Sequence, residues 1–156
     1  MKLSNKTLSK LIKGACYFEI KDGYISSYRF SKAQIEHISQ NKCDKDWLTY
    51  ALMSGPQRIE FKTNSTIVSF DYKSSKPHVN NTIDLYINNV LYSVYHINDI
   101  LKGRVEFSLP QGQKLVSIYM PCESTVQIKN FTIDGNYKSV KATGEKVLII
   151  GDSITQ

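Results

Sequence analysis

The chain has 156 residues, an apolar fraction of 41% and a charged fraction of 22%. This is enough for one ordinary domain with a core and excludes a disordered, collagen-like or membrane-spanning class. Net charge is +6, from 20 Lys plus Arg against 14 Asp plus Glu. The lysines are scattered and never interleaved with aromatics in an RNA-reading pattern, so no nucleic-acid partner is expected. No apolar stretch of the ~18 residues that a membrane span needs occurs, and no membrane partner is expected. The basic N-terminus "MKLSNKTLSKLIKGAC" lacks the apolar run of a secretory leader, and the expected location is cytoplasmic.

Leu8, Leu11 and Ile12 share one side of a short helix beginning near Thr7. "ACYFEIKDGYISSYRF" reads as two strands about an Asp22-Gly23 turn. Ser31 is placed as the N-cap of a two-turn helix carrying Ile35 and Ile38. From "WLTYALM" onward the chain reads as a succession of short strands, broken first at Gly55-Pro56. "QRIEFKT", "TIVSFDYK", "TIDLYI", "VLYSVYHI", "RVEFSLP", "KLVSIYMP" and "TVQIKNFTID" follow, the hairpin between "TIDLYI" and "VLYSVYHI" turning at Asn88-Asn89. Such alternation with turns every ~8–12 residues marks an antiparallel β-sandwich or barrel. Phe61, Phe70, Leu85, Val94, Phe107 and Ile118 are expected in its core.

Cys16, Cys43 and Cys122 have no metal-ligand or redox spacing and are expected to be reduced and structural. With no Cys/His cluster and no Gly-rich dinucleotide loop, neither metal nor cofactor is signalled.

A composition break follows the last strand. "DGNYKSVKATGEK" is polar and without apolar period, and reads as a linker over 136–145 between a sandwich at 1–135 and a new unit at 146–156. That unit opens with "KVLII", apolar on both faces as in the parallel strands of α/β proteins. It runs directly into Gly151, Asp152 and Ser153. A serine on a tight turn after such a strand suits a nucleophile, with its own N–H facing an incoming oxyanion. A plain turn followed by a helix N-cap would read the same way over three residues.

"VLIIGDSITQ" closely resembles the first sequence block of the SGNH/GDSL hydrolases, whose catalytic domain is flavodoxin-like. The resemblance implies that Ser153 is the nucleophile and a backbone oxyanion donor, with Gly151 and Asp152 completing the motif. Some bacterial members, among them sugar-deacetylating esterases, carry an N-terminal jelly-roll β-sandwich. "TIDLYINNVLY" and "LPQGQKLVSIYMPCESTVQIKNFTIDG" are similar to that module.

The fold expected is thus all-β, a jelly-roll-like sandwich with a short N-terminal helix, plus the first strand of a flavodoxin-like α/β domain. The family's glycine, asparagine and Asp-x-x-His blocks do not occur in this chain, so the base and two oxyanion donors are missing. His37, His78 and His96 stand in none of the family's positions.

The expectation is that 146–156 opens a catalytic domain whose remainder is absent, that the chain alone is inactive, and that 146–150 promotes self-association. The substrate implied is an acyl ester, such as an acetylated carbohydrate. Two other roles stay open: a glycan-binding module using exposed Tyr or Trp47, and a scaffold for the catalytic cleft.

Overall fold

The computed structural model describes residues 1–40, 45–75, 81–97 and 101–141. These form two antiparallel sheets packed face to face. The first contains β1 (Ile12–Lys13), β4 (Arg58–Thr63), β6 (Thr82–Ile87), β7 (Val90–His96), β9 (Lys114–Tyr119) and β11 (Tyr137–Ser139). Its order is β1-β4-β9-β6-β7, with β11 also on β4. The second contains β2 (Tyr17–Lys21), β3 (Tyr24–Tyr28), β5 (Ile67–Ser74), β8 (Lys102–Ser108) and β10 (Val126–Ile133), in the order β2-β3-β10-β5-β8. The all-β sandwich expected from the alternation is the fold observed.

Alternation places the core. On β5, Val68, Phe70 and Tyr72 face inward and are fully buried, as are Ile83 and Leu85 on β6. Phe131 joins the sheets, stacking on Phe70 with centroids 5.7 Å apart and meeting Phe61 of the opposite sheet edge-on at 5.9 Å. Tyr72 and Tyr95 make a second edge-on contact across the layers at 5.9 Å. Phe61, Phe70, Leu85, Phe107 and Ile118 are all buried, as the sequence predicts.

Val94 is not; it is 39% exposed. The β6–β7 pairing slips between Leu85 and Tyr86, which sets Ser93 opposite Leu85 and Tyr95 opposite Ile83. The inward face of β7 is therefore that of Ser93 and Tyr95, and Val94 pairs with outward Asp84. A one-residue shift exchanges the faces of a strand. Because β7 is apolar at both parities, the sequence alone could not choose between them.

The local signals hold well at the N-terminal end. Helix α1 (Asn5–Leu11) buries Leu8 and Leu11, and its N-cap Ser4 accepts from the Thr7 amide at 3.1 Å. The β2–β3 hairpin turns through Asp22 (φ 53°) and Gly23 (φ 78°), the left-handed pair that a tight hairpin needs. Helix α2 (Lys32–Gln40) opens on a reciprocal cap: the Gln34 amide donates to Ser31 Oγ at 3.3 Å and the Ser31 amide to Gln34 Oε1 at 2.9 Å. None of the residues of α2 is buried.

"WLTYALM" is a helix rather than a strand: α3 spans Lys45–Leu52. Asp46 sits in its first turn, and Leu48, Ala51 and Leu52 recur at helical spacing, with Ala51 buried. Trp47 therefore lies on a helix, 65% exposed, and not in a sheet. Cys16 and Cys122 are free, exposed thiols; Cys43 and His78 lie outside the described residues. Among the described residues no helix is long and apolar enough to cross a membrane.

The stretch read as linker begins with structure. Asp134 accepts from the amides of Thr66 and Ile67 at 2.9 and 3.0 Å and from the Thr66 hydroxyl at 2.5 Å. Gly135 follows so closely over the 64–65 turn that a Cβ would stand 2.6 Å from Asn64 Oδ1 and 2.9 Å from the Ser65 amide. Asn136 donates its amide to Asn64 Oδ1 at 2.9 Å, and β11 then pairs with β4.

These bonds have a pH signature. The Thr66 hydroxyl, followed by the two backbone amides, holds the Asp134 carboxyl down at about 2. A depressed carboxyl contributes stability in full above its ordinary pKa and loses it as pH falls through the folded value. Wild type should therefore lose stability between about pH 4 and pH 2. Asp134→Asn should be less stable at neutral pH and should lose less over that window; urea midpoints measured across it check this. Parallel curves for the two proteins would contradict the assignment.

Candidate functional site

Gly151, Asp152 and Ser153, and the apolar run before them, lie outside the described residues. The described chain reaches Lys141 after β11, where Lys13 Nζ donates to the Val140 carbonyl at 2.9 Å. That exit is on the β4 side of the six-stranded sheet. His96 is exposed on β7 at the opposite edge, about four strand spacings or ~19 Å away. His37 is exposed on α2, over a shallow groove of about 320 Å³ that it lines with Phe30, Ala33, Gln34 and Ile38. The two described histidines thus stand on different elements, one on a helix and one at a sheet edge.

A polar-aromatic cluster does assemble on the outer face of the six-stranded sheet. Ile83, Leu85 and Ile87 point into the core, so Asp84 and Tyr86 point out. The ring of Tyr86 meets Tyr119 of β9 at 5.1 Å and 64°. The Arg58 guanidinium lies 5.6 Å from the Tyr119 centroid, and its Nε is 2.8 Å from Glu60 Oε2. Ser117 donates to the same Glu60 oxygen at 3.3 Å. Asp84, in register with both Tyr119 and Val94, has one carboxylate oxygen shielded from solvent without a hydrogen bond among the described residues.

Chemically this cluster offers rings and carboxylates, and its serine hydroxyl is bonded to a carboxylate rather than to an imidazole. It suits contact with a partner surface or a sugar, not nucleophilic attack. Alternation along "TIDLYI" puts Asp84 and Tyr86 on one face. Their meeting with Tyr119 depends on the β6–β9 pairing, which no local signal announces.

No protein-family model matches the sequence, and no curated protein matches it by sequence. Solved structures do match the fold. The salicylyl-acyltransferase of a tetracycline biosynthetic pathway superposes over 92% of this chain with a TM-score of 0.76 at 15% identity. A protein described as a GDSL-like lipase from Bacteroides ovatus covers 90% with a TM-score of 0.61 at 14% identity. A family two carbohydrate esterase from Cellvibrio japonicus covers 91% with a TM-score of 0.53 at 17% identity. At these identities the likeness is one of fold. The chain spans 42%, 43% and 35% of the lengths of those three proteins.

Proposed function

We propose that the chain is the β-sandwich part of an SGNH/GDSL-type serine esterase, with Ser153 as its nucleophile and acyl esters, in particular acetylated carbohydrates, as its substrates. Two independent signals coincide to support this. The sandwich is shared with proteins named as acyl-transfer and ester-cleaving enzymes, and Gly151-Asp152-Ser153 follows an apolar run Val147 to Ile150 just after it.

In this reading Ser153 Oγ attacks the acyl carbonyl while a histidine takes its proton. The Ser153 amide donates to the oxyanion, the alcohol leaves with the proton, and water then cleaves the acyl-serine. In this reading the base and the remaining oxyanion donors come from the family's later blocks, which these 156 residues do not contain. The sandwich serves as scaffold, its polar-aromatic outer face available to the catalytic part. The experiment is to compare acetyl-ester hydrolysis by the 156-residue chain with that by the product of the reading frame continued past Gln156. Activity confined to the longer protein supports the reading, and a frame that stops at Gln156 sinks it.

A non-catalytic glycan-binding module is the second reading, favoured by rings open to solvent: Trp47 at 65%, Tyr50 at 53% and Tyr92 at 51% exposure. Trp47 is the single tryptophan, so a neutral oligosaccharide stacking on it would change the intrinsic fluorescence directly. No change on titration removes Trp47 from that reading.

A further inference from the structure

The outer face of the five-stranded sheet gathers cations that the sequence scatters. Tyr24 of β3 lies on this face with 3% exposure. Lys73 Nζ of β5 stands 4.2 Å from its ring centroid, and Lys129 Nζ of β10 stands 4.4 Å from it. Lys21 of β2 is directly opposite Tyr24, and Lys102 of β8 is directly opposite Lys73. Each of the five strands thus places a lysine, or the ring that two lysines cover, on a stripe about 19 Å long.

The nearby carboxylates are already shared with other donors. Asp71 is held by Arg104 at 2.9 Å and by Asn130 at 2.5 Å. Asp71 is directly opposite Lys129, and although burial pushes its carboxyl up, the Asn130 and Arg104 contacts and the nearby Lys129 charge bring it below the ordinary range. Glu19 accepts from the hydroxyls of Tyr17 and Tyr28 at 3.0 and 3.2 Å. Glu106 is further along β8, paired in register with Ser69. The ion pairs among the described residues involve none of the four lysines.

Part of this arrangement works against folding, because Lys73 and Lys102 are directly opposed. Like charges directly opposite on neighbouring strands destabilise a sheet. A ring attracts each ammonium separately but does nothing for the repulsion between the two. An anion placed over Tyr24 would relieve it.

We infer that this face binds an anionic polysaccharide, with uronate-type carboxylates bridging Lys73 and Lys129 and the chain running toward Lys21 and Lys102. Lysines act as separate point charges and suit carboxylates spaced along an extended polymer. Nucleic acid fits less well, because the ring within the stripe is covered and offers no base a stacking surface. A membrane fits less well, because no exposed large apolar side chain stands between these lysines to enter lipid. The inference is independent of Ser153 and of ester chemistry.

The test is calorimetric titration of the 156-residue chain with oligogalacturonate, beside cellohexaose as a neutral control and a single-stranded DNA oligomer and phosphatidylserine vesicles as rival polyanions. Binding to oligogalacturonate is expected in about 50 mM salt, weakened roughly tenfold or more in about 300 mM. Lys73→Gln/Lys129→Gln should weaken it about tenfold or more, and Lys62→Gln, on the other sheet, should leave it unchanged. Lys102→Gln should weaken binding while raising Tm, because it removes a cross-strand repulsion; this single variant decides the matter if the double one does not fold. Failure of the wild-type chain to bind oligogalacturonate overturns the inference. So does undiminished binding by the lysine variants, or tighter binding of the DNA or the vesicles than of the uronate.

Discussion

Phe131→Ala should lower the free energy of unfolding by about 3–5 kcal/mol. Phe131 is 1% exposed and is a ring at which the two layers meet, stacked on Phe70 and edge-on to Phe61. Removing it takes away a large buried apolar surface and leaves a cavity walled by two other rings. Strands fixed by cross-strand hydrogen bonds close only part of such a cavity. Since domains of this size are stable by only about 5–15 kcal/mol, the variant should be close to unfolding at ordinary temperature.

Phe131→Leu keeps most of the volume and should cost less, about 1–1.5 kcal/mol beyond the lost ring contacts. Val94→Ala provides the contrast, because Val94 is 39% exposed, and should stay within about 0.5 kcal/mol of wild type. Urea denaturation with unchanged m-values measures all three. A Phe131→Ala cost below about 1 kcal/mol, or a Val94→Ala cost above it, would show that the inward faces of the strands are assigned wrongly.

The contrast between Phe131 and Val94 also marks how far the sequence can be read. Along β5 and β6 the alternate positions hold Ser69, Asp71, Lys73, Thr82 and Asp84, so Val68, Phe70, Ile83 and Leu85 declare their side without knowledge of the partners. On β7 the apolar residues occupy both parities, and only pairing with Leu85 and Ile83 decides that Tyr95 goes in and Val94 out. The stretch 45–52 fails for a related reason: Leu48, Tyr50 and Leu52 satisfy a strand period locally, while Leu48, Ala51 and Leu52 satisfy a helical one. Length and the acidic first turn favour the helix.

Sheet order is legible least of all. β10 sits between β3 and β5, which sets Gln127 beside Ser26, and no local signal carries a pairing between positions so far apart in the chain. The two surface clusters share this origin. Tyr86 and Tyr119, or Lys73 and Lys129, become neighbours only through long-range pairing. Scattered lysines in the sequence therefore became a stripe on one face. The Gly151-Asp152-Ser153 motif is the opposite case: its resemblance rests on consecutive residues and needs no fold, and it lies outside the described residues.

In the protein that supplies its base, Ser153→Ala should reduce acetyl-ester hydrolysis by roughly 10⁴–10⁶ in kcat. Under the proposed reading the serine oxygen is the atom that forms the acyl-enzyme, and alanine has nothing to replace it. What remains is catalysis by binding and by the oxyanion donors, and the variant keeps the backbone amide donor at position 153. The loss should therefore fall in kcat with little change in KM. In the 156-residue chain the result should differ. Under the same reading Ser153 there has at most its own amide as oxyanion donor and no histidine from the family's later block. Each missing donor alone costs on the order of 10²–10³. Hydrolysis of an activated acetyl ester by this chain should equal that of its own Ser153→Ala variant. Activity in the chain that vanishes with Ser153→Ala would require His37, His78 or His96 to reach the serine, and would overturn the assignment of the base to later sequence. Full activity of Ser153→Ala in the longer protein would remove Ser153 as the nucleophile, and with it the esterase reading of the Gly-Asp-Ser turn.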